Sequence, residues 1–201
     1  LKRVHALLSA GIAAPLLLLG ILYLRISNPL VSTEPLPLEL VDAGSPGGNA
    51  LLAASDARAD YDALVASFQA QEKTTWCGVA TGTIVLDALT DGPRHSQAGF
   101  FTPNTAPIRS WSRVTFTGMP LSDFARLVGA HGLSTAVTHG NDASLHAFRR
   151  DAILNLQRPS DYVVVNYSRE TLGQGNGGHF SPLAAYESDS DRFLVLDVAA
   201  Y

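Results

Sequence analysis

One thiol is available to this chain: Cys77 is its only cysteine. It sits in Gln71-Glu72-Lys73-Thr74-Thr75-Trp76-Cys77-Gly78, ahead of an amphipathic run from Val79 to Leu89. Thr74 and Thr75 are N-cap residue types, and Ala80, Ile84 and Ala88, with Val85 and Leu89 alongside, recur at helical spacing. The spacing predicts a helix whose first turn carries the thiol. Unsatisfied N–H groups and the positive end of the helix dipole favour an anion there, and the thiolate is the nucleophilic form of cysteine. Gln71, six residues upstream, is the residue type that supplies an oxyanion donor when a thiolate attacks a carbonyl. A lone cysteine is ordinarily a buried, inert small hydrophobe. The thiol therefore counts as chemistry only if a base can be found for it.

The C-terminal third offers one. Asp161 to Tyr167 is a β-branched run, residues 173–178 read as a flexible glycine-rich loop, and Phe180–Tyr186 and Arg192–Val198 read as two strands around the turn Glu187–Asp191. A hairpin centred on Ser188 sets His179 directly opposite Asp197, on one face, where the two side chains can bond. A slip of one residue would separate them. Asp197 lies among apolar neighbours and needs a partner; the competing reading turns it outward to solvent. Glycines 177 and 178 allow a substrate or another backbone to approach closely. The chemistry implied is nucleophilic: Cys77 attacks, His179 takes its proton, Asp197 orients the imidazole and Gln71 supports the oxyanion.

The remaining elements must position these groups. A helix is expected over residues 60–68, with Tyr61, Leu64, Val65 and Phe68 inward. Irregular structure is expected from 91 to 118, helices over 120–129 and 143–155, and a strand over 133–138. Trp111 and the histidines at 95, 131, 139 and 146 read as packing or surface residues. Helices first and strands second make the chain α+β. Residues 28–58, rich in proline and glycine, read as a linker. Lys2 and Arg3 precede an apolar run from Val4 to Leu24, about the length that crosses a bilayer as a helix. The sequence Arg25-Ile26-Ser27-Asn28-Pro29 after it is a poor signal-peptidase site, so an uncleaved anchor over 1–27 is favoured over a cleaved signal segment, with the rest of the chain (59–201 as the working domain) outside the cytoplasm.

Net charge is −4, without a basic block, which argues against nucleic acid. One cysteine excludes an internal disulfide and a multi-cysteine zinc site, and the six histidines show no ligand spacing, so no metal site is expected.

Four stretches together resemble the phytochelatin synthases: Gln71 to Gly78, Val165-Asn166-Tyr167-Ser168-Arg169, Gly178-His179-Phe180-Ser181-Pro182-Leu183, and Leu196-Asp197-Val198-Ala199. The resemblance runs from about residue 60 to Tyr201 and implies a papain-like fold, α+β, with Cys, His and acid in papain order. It implies Cys77, His179, Asp197 and Gln71 as catalytic and Asn166, Gly78 and Gly178 as substrate-binding. Glutathione would be the substrate, cleaved at its Cys–Gly bond through a γ-glutamylcysteinyl thioester to give γ-Glu-Cys or phytochelatin. No cofactor would be tightly bound; cadmium or zinc would arrive as glutathione complexes, since soft metals prefer thiolates. The chain departs from the family at Ala200, where an arginine is usual, and the cysteine-rich region of eukaryotic members is absent from it. The short layout is similar to bacterial members, which lean toward hydrolysis. A papain-like peptidase for other peptides, or a membrane-anchored binding protein without turnover, remain alternatives. The state of assembly, including a homodimer, and any continuation past Tyr201 stay open.

Overall fold

The computed structural model describes residues 14–24, 36–90, 92–173 and 177–199. Its helices are α1 (residues 14–24), α2 (Pro46–Ala54), α3 (Tyr61–Ala66), α4 (Cys77–Leu89), α5 (Trp111–Thr117), α6 (Leu121–Gly129) and α7 (Leu145–Leu156). They precede three strands: β1 (Val164–Ser168), β2 (Gly178–Glu187) and β3 (Arg192–Val195). The strands form an antiparallel sheet in the order β1-β2-β3. This is the expected α+β arrangement of helices followed by an antiparallel sheet.

The centre of the packing is α4 against β2. Every residue from Gly78 to Leu86 is buried, so α4 is enclosed on all sides over that length rather than on one face. Gly82 is what lets it in: a Cβ there would stand 2.6 Å from the ring of Phe100. Trp76, Val79, Phe124, Leu127 and Phe180 make one core cluster, and Leu64, Ala80, Ile84, Ala184 and Val198 make a second. A third, with Leu183, Tyr186, Ala152, Leu156 and Ala57, attaches α7 and the residues before α3. The Thr81 hydroxyl donates to Phe180 O at 3.1 Å and fixes α4 along β2.

Several expectations are corrected. The cap of α4 is Trp76, which makes no side-chain cap bond. Thr75 instead donates its hydroxyl to Thr115 O at 2.9 Å, and Trp76 Nε1 donates to Thr115 Oγ1 at 3.0 Å, so the entry to the helix is set by tertiary bonds. Residues 133–138 form no strand: they are almost wholly exposed, and no ladder partner is offered to them. The irregular stretch over 91–118 contains α5, capped by Ser110, which accepts from Arg113 N. The linker stretch contains α2, capped by Ser45 with Pro46 in its first turn, and Ala57 bridges to Tyr186. Val65, assigned an inward position, is exposed. Of the apolar run 4–24, residues 4–13 lie outside the described residues and α1 is exposed; among the described residues no helix is long and apolar enough to cross a membrane. Ala200, Tyr201 and half of the glycine loop (174–176) also lie outside them.

Candidate active site

Cys77 is the first residue of α4. The first helical bond runs from Ala80 N to Trp76 O at 2.8 Å, so the N–H groups of Cys77, Gly78 and Val79 have no acceptor within the helix. A negative charge developing beside the thiol meets these donors and the dipole.

His179 lies near the start of β2 and is buried. Its Nε2 is 2.7 Å from Asp197 Oδ1. That leaves Nδ1 for the thiol, and Cys77 is close enough to act on the imidazole. Burial opposes the charged ring, but the bonds and charges of Asp197 and Cys77 overcome it and push the His179 pKa up to about 9. The imidazole therefore carries a proton at neutral pH. Burial also works against the Asp197 carboxylate, yet the His179 bond and charge, the Ala199 N–H at 2.8 Å and the Arg169 charge hold its pKa below the usual range. The expected His–Asp couple is present, and Cys77 joins it.

The hairpin register behind the couple is not the expected one. Glu187 pairs with Arg192, Tyr186 with Phe193 and Ala185 with Leu194, so the turn lies later in the chain than a hairpin centred on Ser188. The Glu187 carboxylate accepts from Asp189 N at 2.8 Å and Ser190 N at 2.9 Å, and also from the Ser190 hydroxyl, while Asp191 takes φ 54. These bonds define the turn over residues 188–191. A bulge then places Leu183 opposite Val195, and Leu196 N donates to Pro182 O at 3.0 Å. Asp197 lies past the end of β3 and reaches His179 diagonally rather than head-on.

Gln71 is buried beside this site. Its backbone N–H donates to Val198 O at 2.8 Å, tying the loop before the thiol to the segment after the carboxylate. Its side chain differs from the expectation of a donor aimed at the thiol: Nε2 donates to Lys73 O and Thr74 O, both at 3.0 Å, and Oε1 is buried without a partner. The amide thus braces the turn into α4, and an oxyanion role requires one of these bonds to be exchanged.

Gly78 lies under Met119, whose Sδ would stand 2.8 Å from an added Cβ. Asn166 is exposed on β1, pairs with Phe180, and has its Oδ1 3.3 Å from where a Cβ on Gly178 would be. Asn166 and Gly178 are thus neighbours next to His179, and Gly78 follows the thiol directly. Among the described residues no group of three or more His, Cys, Asp or Glu is placed to hold a metal ion.

Sequence reading missed Tyr167. It pairs with His179 across β1 and β2, and its hydroxyl donates to Asp197 Oδ2 at 3.2 Å. The signal was available in the strand alternation, had β1 been aligned against His179 as the hairpin was.

A sequence model of the phytochelatin synthase family matches residues 31–201. Glutathione gamma-glutamylcysteinyltransferase 3 of Lotus japonicus is 29% identical over 142 residues, which is 69% of this chain and 30% of that protein. Glutathione gamma-glutamylcysteinyltransferase of Schizosaccharomyces pombe is 28% identical over 146 residues, 71% of this chain and 35% of that protein. The chain thus spans about a third of the length of these relatives. By the family match over residues 31–201, this chain belongs to the phytochelatin synthase family.

Proposed function

We propose that this chain is a thiol acyltransferase that cleaves the Cys–Gly bond of glutathione through a γ-glutamylcysteinyl thioester on Cys77. The observation that carries the reading is a thiol at a helix start, beside a buried imidazole whose pKa it helps to raise to about 9 and which is backed by a carboxylate. The names of the relatives supply the substrate.

The residues support each step. The Cys77 thiolate attacks the carbonyl carbon and a C–S bond forms. The oxygen takes the negative charge near the free N–H groups at the start of α4, with Gln71 as a further donor once its amide turns. The His179 imidazolium gives its proton to the glycine nitrogen, the C–N bond breaks and glycine leaves. The ring, now neutral, takes a proton from water or from the amino group of a second glutathione, which attacks the thioester. The C–S bond breaks, releasing γ-Glu-Cys or phytochelatin, and the thiolate–imidazolium pair is restored. Asp197 keeps the ring oriented throughout. Cadmium or zinc would act as glutathione complexes, that is, as part of the substrate. Asn166, Gly78 and Gly178 are the substrate-side contacts in this reading.

The test is mass spectrometry of protein mixed with glutathione and quenched quickly. A single γ-glutamylcysteinyl group should appear on Cys77, with glycine in solution. Cys77→Ala and Cys77→Ser should show neither. Glycine release by the alanine variant at the wild-type rate would end the reading. We further propose that the basic-then-apolar N-terminus anchors the protein at a membrane with the site outside the cytoplasm. Mature protein whose N-terminal sequence begins after Leu24 would refute an uncleaved anchor.

A further inference from the structure

Asp197 stands beyond the last residue of β3, and its carboxylate is held by hydrogen bonds from His179, Tyr167 and Ala199. Without them it could turn about its own axis. One oxygen, Oδ1, receives His179 Nε2 at 2.7 Å and Ala199 N at 2.8 Å. The other, Oδ2, receives the Tyr167 hydroxyl at 3.2 Å. We propose that Tyr167 is a positioning residue: its phenol pins Oδ2 so that Oδ1 stays on His179, and its ring holds the imidazole edge-on.

The fold puts Tyr167 where this demands. Tyr167 and His179 are direct partners in the β1–β2 ladder, and paired residues project to the same side of a sheet. Their rings meet edge to face, centroids 5.6 Å apart and planes at 77°. The phenol is kept as a donor: burial first, then the Asp197 charge, hold its pKa well above the ordinary phenol value. The Ser181 hydroxyl, two residues along β2 from His179, acts on the same phenol. The charged or titratable groups acting on the His179–Asp197 couple are thus Cys77 from α4, Tyr167 from β1 and Arg169 from the turn after β1. Tyr167 bonds the carboxylate and also touches the ring. This rests on the thiol–imidazole–carboxylate reading above, but not on glutathione as substrate.

Tyr167→Phe keeps the ring and the ladder and removes only the hydroxyl. Alkylation of Cys77, the single cysteine, by iodoacetate needs no substrate and is favoured by an imidazolium beside the thiolate. In the wild type this advantage should fall away near pH 9. In Tyr167→Phe, with unchanged far-UV circular dichroism, it should fall away at lower pH, because the carboxylate no longer stays on the ring. Glycine release should lose about tenfold in kcat or more, as expected for a bond to a charged group, with KM for glutathione unchanged. A superimposable pH profile overturns the proposal. So does a uniform loss with the pH limb in place, which is what a merely structural tyrosine would give, and so does a rise in KM alone. Absence of the limb in the wild type would instead overturn the Cys77–His179 pair itself.

Discussion

Replacing Asp197 with asparagine tests what holds the proton on His179. Asparagine keeps the shape and an acceptor for His179 and Ala199 N–H, and removes a charge 2.7 Å from Nε2. Its amide nitrogen would fall on the Tyr167 side, where the phenol oxygen can accept instead of donating. The fold should therefore survive. The imidazole has an ordinary pKa of 6.5, is pulled down by burial, and is raised to about 9 by Asp197 and Cys77 together. If Cys77 alone supplied half of the net rise, the variant would titrate at roughly 8, and a smaller share takes it lower. At pH 7.5 the ratio of protonated to neutral ring then drops from about thirty to about three or less. The assay is NMR titration of the histidine ring carbons, with His179 identified by its loss in His179→Gln. Acylation should fall alongside, since in the proposed mechanism the leaving glycine takes its proton from this ring. The sign for stability follows: a histidine raised on folding contributes fully below pH 6.5 and loses that contribution as pH rises through about 9, so the wild type should weaken toward alkaline pH more than Asp197→Asn does. A ring that still titrates near 9 in Asp197→Asn would refute the reasoning.

Two further outcomes concern the scaffold. Asp60 is buried with Oδ2 unpartnered, its Oδ1 accepts from Ser160 N at 2.8 Å, and burial pushes its pKa from 3.8 to about 6, so its stabilisation is complete below about pH 3.8 and lost as pH rises through 6. Asp60→Asn should thus raise Tm at pH 8 and not at pH 4; a gain independent of pH would contradict this. Gly82→Ala should lower Tm by a few degrees, because its Cβ would meet the buried Phe100 ring at 2.6 Å, whereas Gly129→Ala, with open space around it, should raise Tm slightly; gains at both sites would show that the Phe100 contact is not tight.

How much of this was legible depends on whether a neighbour in sequence or a neighbour in space decides the structure. The helix from Cys77 was legible because its apolar positions recur at helical spacing over three turns. α6 was legible for the same reason, and its Phe124, Leu127 and Val128 are buried. The expected strand over 133–138 failed because β propensity carries no weight without an edge to pair with. The helix α2 was hidden by its glycines, read as breakers; Gly48 is there because a Cβ would stand 2.2 Å from Asp42 O. Pro46 and Ser45 were the start signals that should have been weighed against them. The role of Thr75 and Trp76 in seating α4 depends on Thr115, some forty residues on, and no local pattern announces it.

The His179–Asp197 couple shows how a right pairing can come from a wrong register. Near the turn, the observed ladder runs Glu187 with Arg192 and Ala185 with Leu194. Continued unbroken, that register would set Asp197 opposite Pro182, on the other face from His179, and the couple could not form. The bulge corrects this: β2 advances from Leu183 to Ala185 while β3 moves only from Val195 to Leu194, leaving Ala184 as the extra residue. Beyond it, Asp197 falls opposite Ser181, on the face of His179 and one diagonal step away. Ala184 is fully buried against Ala80 and Ile84 of α4, so the residue that resets the register also packs under the helix that carries the thiol. Sequence alternation carried the parity of His179 and Asp197. It could not carry the bulge, because a bulge is fixed by what packs against it, and here that is α4.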